Sequence, residues 1–295
     1  MIEHYGKGAI QLPEEDTHPL FAAVPPVDFT KPYTVPVPPD TDQGQADSCV
    51  GHGWSSYHWQ FTGKRMAVRS IFAYIAQGYG AAIADGGKRL INFGQQTFDE
   101  VPDPSPETPQ NIRSRAGLDP VQAMQYDELA SAPVPKSDIN AIAAAIRVYD
   151  GVVFGVTGDN KGWTNMEVPE PPSTSSTWGH CLYAMAYHMH PNSDGTSEKC
   201  IIAKSSWCNT VKEHHIRERY FNSGNTFNAY TLIPNRMPQF KTQALGNELR
   251  IVLQASTQAE WDALCNVYGL DPQNVTEHVT VAPSTGGDKP SGQSL

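Results

Sequence analysis

The chain has 295 residues and a mass of 32.3 kDa, room for one large domain or two modest ones around a sizeable core. Twenty-one Lys and Arg stand against 31 Asp and Glu, and the formal charge of −10 argues against a nucleic-acid or anionic-membrane surface. No apolar run nears the roughly 18 residues of a membrane span, and five cysteines in so long a chain are no disulfide framework.

Residues 1–24 read as an N-terminal extension, and the opening MIEHYGKGAIQLPEED lacks the basic-then-apolar pattern of a signal peptide. Prolines at 25, 26, 32, 36, 38 and 39 exclude a helix there, so an extended arm lying across the domain is expected. After Asp47-Ser48 the apolar positions Val50, Trp54, Tyr57 and Phe61 fall on one helical face, so a helix begins at Cys49. Ser70 is the expected cap of a second helix carrying Ile71, Phe72, Tyr74 and Ile75. A third runs from Gly87 to a stop at Gly94. Residues 99–119 read as a long surface connection. Ser137 then opens a helix with the stripe Ile139, Ile142, Ile146, and the Asp150-Gly151 turn delivers the chain into the strand VVFGV.

Beyond residue 160 the texture changes to strands at 181–189, 200–203 and 226–233. A helical first half before a strand-rich second half is an α+β order, with two subdomains facing each other. Residues 241–280 read as a small appendage with a helical face at Trp261, Leu264 and Tyr268, and 281–295 as a disordered tail.

Cys49 is the sharpest chemical feature. At a helix start, unpaired N–H groups and the helix dipole favour a thiolate, and the flanking DQGQADSCVGHGWSS is polar and glycine-bearing. His180, introduced by Trp178-Gly179 at the head of a strand, is the candidate base. A helix-borne cysteine facing a strand-borne histidine is the nucleophile and base of covalent acyl transfer. The fragments Cys49-Val-Gly-His52, His188-Met-His190 and His214-His215 lack zinc-ribbon or HExxH spacing, so neither a metal site nor any cofactor is expected. The acidic pairs at 14–16 and 99–100 lie in irregular segments, and no glycine-rich nucleotide loop is present.

The block Gln43-Gly44-Gln45-Ala46-Asp47-Ser48-Cys49 resembles the signature of papain-like cysteine peptidases, a glutamine six residues before the nucleophile. WGHCLYAMAYH at 178–188 resembles that family's histidine strand, and CIIAKSSWCNT at 200–210 its next strand and Lys-Asn-Ser-Trp-Gly loop. The resemblance covers about residues 25–235 and implies a papain-like domain over 25–240, a helical and a β-rich subdomain with the cleft between them. It implies Cys49 as nucleophile, His180 as base and Gln43 as oxyanion donor. Ser205 stands in the place of the histidine-orienting asparagine, with Trp207 shielding it and Asn209 as a possible substitute.

Three other departures are Val50 after the nucleophile, Ala46 where secreted members carry a disulfide cysteine, and Cys208 in place of a glycine. The N-terminal arm has no long helical stretch like the family's inhibitory propeptides, so no removable prodomain is expected to hold activity off. The implied function is hydrolysis of peptide bonds in a peptide or protein substrate, in a cytoplasmic or virion-associated protein. The alternatives are a catalytically idle structural or binding module in a larger assembly, and a cell-wall peptide endopeptidase or amidase.

Overall fold

The computed structural model describes residues 8–13, 27–126, 130–175, 177–207, 211–233, 241–245 and 248–252. The expected appendage helix, the tail, Cys208 and Asn209 lie outside the described residues. The chain divides into two compact units, residues 1–235 and 236–295. In chain order the first holds β1 (Ala9–Ile10), β2 (Tyr33–Thr34), α1 (Cys49–Thr62), α2 (Val68–Ile75), β3 (Ala81–Ala82) and α3 (Ile83–Phe93). These are followed by α4 (Pro120–Ala123), β4 (Ala130–Val134), α5 (Ile139–Tyr149), β5 (Val152–Gly158) and β6 (Trp178–Pro191). β7 (Ser197–Lys204), β8 (Glu213–Arg217), α6 (Glu218–Asn222) and β9 (Thr226–Ile233) complete it. In the second unit β10 (Lys241–Leu245) and β11 (Glu248–Val252) form an antiparallel hairpin. Among the described residues no helix is long and apolar enough to cross a membrane.

The core is a seven-stranded antiparallel sheet of order β4-β9-β5-β6-β7-β8, with β2 added to β6. β6 is its longest strand, pairing β5 along its first half and β7 along most of its length. An extra residue, Met185, is accommodated in β6 where the register against β7 shifts between Ala184 and Ala186.

α1 begins and ends as its sequence dictates. Cys49 is its first residue, and Gly63, at φ 63°, closes it with an N–H to the Trp59 carbonyl. Gly53 lets the helix lie tight on the sheet, since a Cβ there would sit 2.9 Å from Cys181 Sγ on β6. Trp54 and Tyr57 are fully buried, Trp54 donating to the Ile83 carbonyl and Tyr57 to that of Tyr149. These bonds lock α1 to α3 and α5.

Several local expectations need correction. α2 starts at Val68, and Ser70 lies inside it, where its hydroxyl accepts from the Gln96 N–H. The open N–H groups of Val68 and Arg69 are capped by Asp103, at 2.9 and 2.8 Å. α3 ends at Gly94 as expected but starts four residues earlier, at Ile83. Asp138, one residue past Ser137, caps α5 by accepting from Asn140 and Ala141. The 99–119 connection is not confined to the surface, because Val101, Glu107 and Ile112 are buried.

Candidate active site

Cys49 stands at the first turn of α1 and is completely buried. Ser48, by residue type a helix cap, instead donates its hydroxyl to Glu107 (2.8 Å), so no side chain covers the first-turn N–H groups. Behind the turn, buried His52 reaches the same carboxylate at 3.0 Å. Burial works against a charged His52, but the Glu107 carboxylate prevails and its pKa is raised. The fragment Cys49-Val-Gly-His52 is thereby split between two tasks.

His180 projects from β6 into a fully buried position. Its Nε2 lies 2.9 Å from Ser205 Oγ, and its ring stacks on Trp207 at 3.8 Å between centroids and 16° between planes. The Trp207 N–H donates to the same Ser205 oxygen at 3.1 Å. Trp163 and Trp178 pack edge-on against Trp207, forming an aromatic roof over the imidazole. The sequence reading used Trp178 only as a strand marker and missed Trp163. Asp159 holds the intervening loop by accepting from the Ser173 and Thr174 N–H groups, both at 2.8 Å.

Gln43 is tied to the same neighbourhood. Its backbone N–H donates to the Ser206 carbonyl, its side-chain oxygen accepts from Ser206 Oγ, and its amide donates to the Ala46 carbonyl. Lys204 anchors the loop base, its buried ammonium reaching the Pro38 carbonyl and Asp40. Gln43, His180, Ser205 and Trp207 thus gather around the residues after β7, and the Cys49 sulfur reaches the strand of His180 through the backbone of Cys181, the residue after His180.

Residues 8–13 of the N-terminal extension lie at the junction of α1 with β6. β1 pairs in parallel with β3, and the Ala81 N–H donates to the Gly8 carbonyl at 2.8 Å. The approach is so close that a Cβ on Gly80 would sit 1.7 Å from the Gly8 carbonyl oxygen. On the opposite side a Cβ on Gly179 would sit 2.3 Å from the Ala9 carbonyl oxygen. Asn228 then clamps Leu12, accepting from its N–H at 2.8 Å and donating to its carbonyl at 3.3 Å. The Gly8 and Cys181 backbones bond to the Cys49 sulfur, yet burial dominates and pushes the thiol up to about 11. A helix start alone predicts a thiolate. Here burial outweighs it.

The remaining histidines sort by sheet face. His214 donates from Nδ1 to the Met166 carbonyl beside Trp163, and burial lowers its pKa to about 4. Its neighbour His215 points the other way, to His188 and His190. Cys200 joins these three, the four ligand-type atoms lying within 4.8 Å of one another. The sequence showed only pairs; β7 and β8 bring the other two members to the β6 pair.

No family model matches the sequence, and no curated protein matches it. Solved structures do. Xylellain, a cysteine protease from Xylella fastidiosa, superposes with a TM-score of 0.58 at 19% identity, covering 79% of this chain and 98% of its own. Digestive procathepsin L 3 of Tenebrio molitor larval midgut gives 0.55 at 13%, covering 78% of this chain and 76% of its own. The bromelain protease from Ananas comosus gives 0.51 at 14%, covering 68% and 94%. The helices against an antiparallel sheet, with Cys49 opening α1 and His180 opening β6, give this chain the papain-like cysteine-protease fold.

Proposed function

We propose that the chain is a cysteine-type hydrolase that cleaves peptide bonds through a thioester, and that residues 8–13 hold it latent. The observation that carries this reading is the arm itself. An extended main chain lies over the candidate nucleophile, paired to Ala81–Ala82 on one side and clamped by Asn228 on the other. A cleft that accepts a polypeptide backbone in this way suits a peptide or protein substrate.

In the reaction, Cys49 Sγ attacks the scissile carbonyl carbon, and the carbonyl π electrons move onto oxygen. The Cys49 backbone N–H and the Gln43 amide, released from the Ala46 carbonyl, donate to that oxyanion. His180, having taken the thiol proton, gives it to the leaving nitrogen as the C–N bond breaks. Water then loses a proton to His180 and attacks the thioester, releasing the carboxylic acid and the thiol. Ser205 holds His180 Nε2 so that Nδ1 serves the sulfur, and Trp207 keeps water from that hydrogen bond.

The test compares kcat/KM on a peptide library for the parent, a chain lacking residues 1–13, and Cys49→Ala. The expected order is truncated chain above parent above Cys49→Ala. A truncated chain that is folded, alkylates readily at Cys49 and still matches Cys49→Ala overturns hydrolysis. A peptide-binding module then becomes the better reading.

A further inference from the structure

A second group of reactive side chains lies on the sheet away from the cleft. His188 and His190 are two residues apart on β6 and so share a face. Cys200 on β7 is directly opposite His188, and His190 is opposite Glu198. Cys200 and Ile202 share that face of β7, and His215 on β8 is opposite Ile202. Cys200 is therefore ringed by three imidazoles from the two strands that flank β7. The eight residues from His180 to His188 put this group about 26 Å along the strand from the catalytic end.

The rings form a near-equilateral triangle, with centroids 5.6, 5.3 and 5.3 Å apart and interplanar angles of 81°, 71° and 63°. Such a propeller arrangement turns ring edges inward and rules out stacking as its basis. His188 Nε2, His190 Nδ1 and His215 Nδ1 are all buried and make no hydrogen bond. Three buried ring nitrogens without partners in one cluster are costly, because each loses water and receives nothing in return. Cys200 beside them is fully buried. Arg217 stands opposite Cys200, but its cation is engaged by Glu170 and Glu198.

We propose that His188, His190, Cys200 and His215 form a four-coordinate site for a borderline divalent transition metal, zinc first. Three imidazole nitrogens and one sulfur are the donor set such ions prefer, and magnesium or calcium would require oxygen donors. Tetrahedral zinc with these ligands needs donor separations of about 3.3–3.6 Å, against the 4.8 Å within which the four atoms already lie. Side-chain rotation of about an ångström closes the difference. Binding replaces the Cys200 S–H bond by a metal–sulfur bond, and the proton passes to buffer. The metal would clamp β6, β7 and β8 together and leave no open coordination position, so its role is structural.

Cobalt(II) is the probe, titrated into chelator-treated full-length protein carrying Cys49→Ala, which removes the candidate nucleophile from competition for the metal. The expected result is one equivalent bound, with the d–d absorption of four-coordinate cobalt and a sulfur-to-cobalt charge-transfer band. Cys200→Ser should abolish the charge-transfer band. His190→Gln and His215→Gln should each weaken binding roughly tenfold or more, with circular dichroism confirming the fold. Zinc should raise the Tm of the chelator-treated chain, and the double variant His190→Gln/His215→Gln should lose that rise. Absence of the cobalt spectrum in folded protein overturns the proposal, as does a spectrum that Cys200→Ser and His215→Gln leave unchanged. None of these readouts involves hydrolysis, so the metal site and the peptidase reading fail separately.

Discussion

The two ends of β6 carry histidines in opposite circumstances. At its start His180 is held by its neighbours: Nε2 lies on Ser205 and its face on Trp207. At its far end His188 and His190 are packed with His215 while their inward nitrogens bond to nothing. One strand thus holds a histidine anchored by a serine and a tryptophan and two that are packed among other ligand-type side chains. The first arrangement suits a base whose orientation must be set before reaction, the second an ion that brings its own bonds. Burial alone distinguishes neither, since it acts on both ends.

The largest test of this contrast is Cys49→Ala, which should lower kcat/KM by roughly three orders of magnitude or more and leave cobalt uptake at the far end intact. Next comes Gly80→Ala, whose methyl would meet the Gly8 carbonyl oxygen at 1.7 Å and displace the arm. With the arm docked, the Cys49 alkylation rate should climb about tenfold per pH unit until the thiol titrates near 11. Uncovering the sulfur should move that plateau to lower pH and raise labelling at neutral pH about a hundredfold. The measurement is iodoacetamide labelling followed by mass spectrometry, and truncation of residues 1–13 should reproduce it.

Glu107→Gln removes the partner of buried His52 and should destabilise the chain by about 3 kcal/mol in denaturant unfolding. The sign with pH follows from the raised His52 pKa. The stabilisation is fully present below the unfolded value of about 6.5 and is lost as pH rises through the higher folded value. Glu107→Gln should flatten that part of the stability profile. The smallest effect belongs to Ser205→Ala, a loss of roughly fivefold in kcat/KM, of the size of one modest hydrogen bond. Ser205→Asn should equal or exceed the parent.

The elements that carry Cys49 and His180 were legible in the sequence because their patterns are local. The 50/54/57/61 stripe fixes α1, and the period-two residues after His180 fix β6. What escaped depends on partners far along the chain. The α2 cap comes from Asp103, which no window around Val68 contains. The strands β4 and β8 are the two edges of the sheet, one carrying Pro133 and the other the polar run Glu213-His214-His215. Edge strands tolerate both, so hydrophobic alternation does not announce them. The arm docks by main-chain bonds and glycine clearances, which leave almost no trace in side-chain pattern. The histidine cluster required the register of three strands, and that register depends on pairings between residues up to 21 apart.

Met185, the extra residue in β6, gives that register its meaning. Before it, Ala184 faces Ala203; after it, Ala186 faces Ile202. Carried straight on, the first alignment would set Tyr187 against Cys200 and turn His188 toward Lys199. One inserted residue therefore acts as a frameshift between two messages written on a single strand. The chain reads His180, the candidate base, in one frame and the cysteine-centred cluster in the next. A Met185 deletion would have to choose: keep the first half in frame and scatter the cluster, or keep the cluster and pull the strand's head out of line. Substituting Met185 would leave both readings intact, so at this position the length of the chain carries the information and the identity of the side chain does not.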